Sequence, residues 1–218
     1  ENGVGEISRT VTQEDREGLQ TRIEYDNRNR VKRTIEPDGG FTEYEYYDNG
    51  QIKNVTHQPD GRKISFVYDL EGRLKTRTRH RVNGAVDLVT EYLKYDDNGN
   101  VEEVLDEAGR TTTFVYDELN RLVNTILPAP GHGMAQVTTT RRYDANSNLV
   151  GYDNGRGQTW HYKYDGLGNV TEETDPSGRK TAYKYDLNGN LTWKRDGRGI
   201  VTLYRYDALN RLTNIEYA

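Results

Sequence analysis

Tyrosine recurs along this chain at nearly fixed intervals, at Tyr25, Tyr46, Tyr68, Tyr95, Tyr116, Tyr143, Tyr164, Tyr185 and Tyr206. Six of the eight intervals are twenty-one or twenty-two residues and two are twenty-seven, and the sixth residue after each tyrosine is Val, Ile or Leu. A period of roughly 20–50 residues marks a repeat architecture, in which each unit buries its apolar face only by stacking on its neighbours. A fold built around one catalytic pocket has no use for such regularity.

One unit, Thr181-Ala182-Tyr183-Lys184-Tyr185-Asp186-Leu187-Asn188-Gly189-Asn190-Leu191-Thr192-Trp193-Lys194, shows what repeats. Before the aspartate, side chains alternate with the period of two of a half-buried strand. Asp186 suits the first position of a type I turn, and Gly189 suits the left-handed position that closes a three-residue hairpin loop. The equivalent positions read Asn29, Gly50, Gly72, Gly99, Asn120, Ser147, Gly168, Gly189 and Asn210, so Ser147 alone is not a residue that tolerates positive φ well. A three-residue loop sets each tyrosine opposite the aliphatic residue six places on, as in Tyr68 with Leu74 and Tyr185 with Leu191. A second turn signal precedes most of the tyrosines by seven residues, at Gly18, Gly39, Gly61, Gly109, Gly157, Gly178 and Gly199.

Parity then constrains the second turn. Two three-residue loops in a twenty-one-residue unit would put successive tyrosines on opposite faces. A tyrosine belt on one face therefore predicts an even loop, of two or four residues, at the Gly-Arg turn. Aromatics two residues before the belt (Tyr44, Phe66, Phe114, Tyr162, Tyr183, Tyr204) thicken it. The other parity is polar, as in Glu43, Glu45, Lys75, Arg77, Lys163, Lys184 and Lys194. Residues 79–90 and 127–140, with Arg81-Val82-Asn83-Gly84-Ala85 and Pro128-Ala129-Pro130-Gly131-His132-Gly133, read as longer hairpin or loop excursions.

The fold class expected is therefore all-β: tandem antiparallel hairpins of about twenty-one residues, one array of nine repeats over residues 1–218. At about 4.8 Å per strand, roughly eighteen strands make a ribbon that must curl, since open twisted sheets rarely exceed about ten strands. A spiralling sheet with its tyrosine face inward, part of a large hollow shell, is the expectation. Composition alone would mislead, because 33% hydrophobic residues, 30% charged residues and a mean hydropathy of −1.01 point towards disorder. Seventeen Tyr in register supply the missing buried area.

The absence of Cys excludes a disulfide framework and any thiolate-ligated metal. A net charge of −5 speaks against binding polyanions through bulk charge. No window approaches the roughly 20 apolar residues of a membrane helix, and Glu1-Asn2-Gly3-Val4-Gly5 has no signal pattern. Both ends read as cut from a longer chain.

Tyr68-Asp69-Leu70-Glu71-Gly72-Arg73-Leu74 resembles the signature of the YD-repeat, or Rhs-repeat, family, and Tyr116 to Leu122 and Tyr206 to Leu212 resemble its Asn variant. The resemblance covers nearly the whole chain. It implies a hollow β-shell like those of bacterial Rhs and polymorphic toxins, insecticidal toxin-complex proteins and teneurins, enclosing a C-terminal toxic domain in the bacterial members. The family's self-cleavage motif resembles Asp-Pro-x-Gly-Leu. Here Asp175-Pro176-Ser177-Gly178 runs into Arg179 in ordinary turn register, which reads as a turn.

Other constellations have bland readings. Asp96-x-Asn98-x-Asn100, Asp144-x-Asn146-x-Asn148 and Asp186-x-Asn188-x-Asn190 have calcium-loop spacing but lack the glycine at position six. Asx turns account for them. Arg73, Lys75, Arg77, Arg79 and Arg81 form a cationic strand face of outward parity, open to acidic glycans or phosphates but read as solvated. Trp160 and Trp193 share the belt parity and read as packing rather than sugar platforms. His57, His80, His132 and His161 have no metal-ligand spacing. The expectation is no enzyme, no cofactor, no metal and no catalytic residue, with any ligand-binding residues unknown. The role expected is a shell segment of a secreted or cell-surface bacterial protein, whose partner is the enclosed C-terminal toxin or effector domain. The alternative is an adhesion or carbohydrate-binding module using its outer face. No nucleic acid and no membrane segment are expected.

Overall fold

The computed structural model describes residues 6–81, 85–131 and 133–217. It is all-β. The strands are β1 (Arg9–Glu14), β2 (Gln20–Tyr25), β3 (Val31–Ile35), β4 (Phe41–Tyr46), β5 (Ile52–Gln58), β6 (Arg62–Tyr68), β7 (Leu74–His80), β8 (Leu88–Tyr95), β9 (Val101–Leu105), β10 (Thr111–Tyr116), β11 (Leu122–Leu127), β12 (Val137–Tyr143), β13 (Leu149–Asp153), β14 (Thr159–Tyr164), β15 (Val170–Thr174), β16 (Lys180–Tyr185), β17 (Leu191–Arg195), β18 (Val201–Tyr206) and β19 (Leu212–Tyr217). They fall in two compact units, residues 1–111 and 112–218. Within each unit every strand pairs antiparallel with the next in the chain, so connectivity is the simplest possible.

Each repeat tyrosine ends a strand and faces the predicted aliphatic residue: Tyr25 faces Val31, Tyr68 faces Leu74 and Tyr185 faces Leu191. The turn between them is a three-residue loop. In the first, the Asp26 N–H donates to Arg30 O at 2.9 Å and the Asn29 N–H donates to Asp26 O at 3.0 Å. The residue that closes the loop is left-handed whatever its type, with φ of 58° at Asn29, 85° at Gly168 and 68° at Ser147.

The second turn corrects the sequence reading. Glu36–Gly40, Asp106–Arg110, Asp175–Arg179 and Asp196–Ile200 make the same pair of hydrogen bonds as the tyrosine turn, so their loops also hold three residues. Parity is restored by a β-bulge instead. In all nine tyrosine hairpins the register slips by one directly behind the tyrosine: Tyr68 faces Leu74, yet Val67 faces Thr76, which leaves Lys75 as the extra residue. The same slip occurs in the other eight, and the Tyr95 hairpin carries a second, opposite slip at Leu93 on β8. A bulge adds one residue to one strand and reverses the face of everything beyond it. An even loop occurs where the interval is twenty-two residues, between His57 and Arg62, which enclose four residues.

With the bulge counted, the tyrosine face of β6 and β7 carries Tyr68, Phe66 and Ile64 against Leu74, Arg77 and Arg79. The opposite face of β2 to β5 carries Glu24, Arg33, Glu43, Glu45 and Asn54. The tyrosines are half-buried, and among the described residues no large apolar side chain is fully enclosed. The long excursions are confined to residues 81–87 and 128–136, shorter than read from sequence. Val82, Asn83, Gly84 and His132 lie outside the described residues.

Candidate functional site

The tyrosine turn makes a recurring set of side-chain contacts between successive tyrosine hairpins. Asp117 is typical. Its Oδ1 accepts the N–H groups of Leu119 and Arg121, both at 3.0 Å, and its Oδ2 accepts Arg121 Nε at 2.7 Å. The Arg121 side chain, then its N–H, hold the Asp117 carboxyl below the usual carboxylate range. The guanidinium continues outward. Its Nη1 donates to Asp144 O in the next turn at 3.0 Å, and its centre lies 4.8 Å from the Tyr143 ring. Arg30 over Tyr46 (4.4 Å) and Arg73 over Tyr95 (4.8 Å) repeat this arrangement. Each such stack contributes about 0.5–1 kcal/mol at an exposed site.

The tyrosine hydroxyl supplies the second lock. Tyr46 donates to Val31 O at 2.6 Å, Tyr68 to Ile52 O at 3.1 Å, Tyr143 to Leu122 O at 3.0 Å and Tyr164 to Leu149 O at 2.8 Å. Tyr95 donates to Leu74 O in the same way. Each acceptor is the aliphatic residue just before the bulge of the preceding hairpin. Burial pushes the Tyr68 and Tyr164 hydroxyls above the ordinary tyrosine range. A neutral donor is what this contact requires.

The calcium-like triplets are Asx turns. Asp96 Oδ1 accepts the N–H groups of Asn98 and Asn100, and the Asn100 Nδ2 donates to Oδ2 at 2.9 Å, so an amide nitrogen faces the carboxylate where a cation would sit. Asp144 with Asn148 and Asp186 with Asn190 match. Among the described residues no group of three His, Asp or Glu could hold a metal. Asp175 accepts the Ser177 hydroxyl at 2.6 Å, the Ser177 and Arg179 N–H groups, and Arg179 Nε at 2.7 Å. These donors, the Ser177 hydroxyl foremost, lower its carboxyl to about 2. A carboxylate so fully occupied is a turn brace.

The bulge redistributes the other candidates. Arg77 and Arg79 face Phe66 and Ile64 on the tyrosine face rather than standing outward. Arg79 Nε donates to Glu107 Oε1 at 2.8 Å. Arg73 is bound in its own turn and Lys75 is the bulge residue, so the five cations share no single face. Lys194 faces Tyr183, also on the tyrosine face. Trp160 stays on that face and packs on Tyr152 with ring centres 5.7 Å apart. Trp193 does not. It faces Lys184 across the ladder, with Lys184 Nζ 5.0 Å and the Arg195 guanidinium 5.9 Å from its ring. Sequence reading passed over Asn54, Ser65 and Asp87, which hydrogen bonds join to His80. Their spacing along three strands and a loop forms no motif.

Among the described residues no helix is long and apolar enough to cross a membrane. No curated protein sequence matches the chain. Among the solved structures that share its fold are two toxin-complex proteins. TcdB2-TccC3 without its hypervariable C-terminal region matches with a TM-score of 0.75 and 15% identity over 95% of this chain. A Photorhabdus luminescens Tc holotoxin pore carrying a TccC3 mutation matches with a TM-score of 0.72 and 17% identity over 95%. The chain spans 12% of the length of each. The RHS Repeat family model matches residues 95–129, 143–180, 164–192 and 185–218, about half of the chain. These matches open on Tyr95, Tyr143, Tyr164 and Tyr185, each the start of a tyrosine turn, and the chain belongs to the RHS repeat family.

Proposed function

We propose that the chain is a wall segment of a large exported bacterial shell, a single array of nine tyrosine hairpins that encloses the C-terminal toxin or effector part of its parent protein. The array supplies containment and no chemistry of its own in that role. The observation that carries this reading is the pairing of a TM-score of 0.75 over 95% of the chain with coverage of 12% of the larger TcdB2-TccC3 protein. The same hairpins recur there as a small part of a much longer whole. Contacts that run from each hairpin to the next suit a wall, because they let units be added without a central core. The test is limited proteolysis of the intact parent protein. Its C-terminal part is expected to resist digestion until the shell is denatured. Digestion at the rate of the same part expressed alone would exclude containment.

A further inference from the structure

We propose that Glu45, Asn54, Ser65, His80 and Asp87 form a clasp across the face opposite the tyrosines, complete only while His80 carries a proton on both ring nitrogens. The argument is a count of protons. Asn54 is among the few buried polar residues, and its Nδ2 donates to Glu45 Oε2, which turns its Oδ1 towards Ser65. The Ser65 hydroxyl donates to that Oδ1 at 2.6 Å. Its single proton is thereby committed, and its oxygen can only accept from His80 Nε2, also at 2.6 Å. At the other side of the ring, Nδ1 lies 2.8 Å from Asp87 Oδ2. Asp87 also accepts the Arg81 N–H at 3.0 Å, and this bond first, then His80, holds its carboxyl ionised and below the usual range. Both ring nitrogens therefore face acceptors. A neutral ring has one proton for two acceptors and must lose a contact.

The order serine, histidine, aspartate is that of a nucleophilic triad, but the chemistry differs. A nucleophilic serine gives its proton to a neutral imidazole. Here the Ser65 hydroxyl keeps its proton and donates it in a hydrogen bond to the Oδ1 of Asn54, which Glu45 orients.

The clasp has a structural position that makes it consequential. The β7 and β8 ladder runs as far as Arg79 opposite Leu88, so His80 and Asp87 are the next pair out, at the mouth of the excursion over residues 81–87. The charged groups around the ring are Asp87 beyond the ladder's end, Lys63 opposite it on β6, Arg81 next in the chain, and Glu45 through Asn54. The clasp tightens β4 to β8 in mild acid and loosens by one contact as the ring sheds its proton.

The test uses the 218-residue chain. Long-range proton–nitrogen spectra of the His80 ring are recorded between about pH 5 and 8, the range in which histidine charge ordinarily changes. Both ring nitrogens are expected to be protonated at the acid end. In parallel, the folding equilibrium of the native chain is compared with His80→Gln. The advantage of the native chain should fall about five-fold from the acid to the alkaline end, the worth of one hydrogen bond. A ring with one proton at the acid end, or an advantage that stays constant or grows with pH, would overturn the proposal. If His80→Gln fails to fold, the ring spectrum of the native chain decides alone.

Discussion

At the scale of single residues, the repeat works because one side chain serves two hairpins. The tyrosine fills its own hairpin with its ring and the preceding hairpin with its hydroxyl. Tyr68→Phe keeps the ring and removes the bond to Ile52 O, so urea unfolding should show a loss of about 1 kcal/mol. Ser147 is the converse case, visible in the sequence as the misfit and found at φ 68°. Ser147→Gly relieves a left-handed conformation and should stabilise by about 1 kcal/mol in the same assay. The turn positions were legible because turn chemistry needs particular residue types, whereas the hydroxyl bonds to the preceding hairpin were not read. Trp193, Arg77 and Lys194 were misplaced, since nothing in their own identity reports which face they occupy.

Single hairpins are where the sequence was silent. The extra residue of the bulge is Lys32, Lys53, Lys75, Glu102, Val123, Val150, Thr171, Thr192 or Thr213, a set with no shared chemistry. It needs neither glycine nor a turn former, so no residue type marks it. Arithmetic did show that a parity step was missing and placed it wrongly in the second loop. The bulge also has a sharp signature in mutagenesis. Lys75→Ala should be nearly neutral. Deleting Lys75 turns Thr76 to His80 over, placing Arg77 and Arg79 on the wrong face, and should abolish cooperative unfolding followed by circular dichroism. A deletion as benign as the substitution would remove the bulge from its structural role.

Across the whole molecule, the braced aspartates make acid the common adversary. Asp106, Asp117, Asp144, Asp165 and Asp186 are all held below the ordinary carboxylate range, first by the side chain four residues on, and Asp175 reaches about 2. A carboxyl lowered on folding stabilises fully above its unfolded value of about 3.9 and loses that contribution as pH falls through its folded value. Unfolding titrations should therefore show stability falling between about pH 4 and pH 2, and Asp175→Asn should flatten part of that slope. An unchanged slope in the variant would mean that the brace is idle. The all-β repeat was readable from spacing, because an array of identical joints must repeat its joints in the sequence, and the family was readable from the resemblance of Tyr68 to Leu74 to its signature.

The displaced residue behind each tyrosine bears on how such a chain can grow. A unit of twenty-one residues has an odd length, and copying it into a plain ladder would invert everything downstream. With the offset carried inside the unit, a duplication or loss of one module leaves all later rings where they were. Gene-level slippage can then lengthen or shorten the protein without scrambling it, and a departure from the common loop brings its own compensation, as in the four-residue loop around Pro59 and the second slip at Leu93.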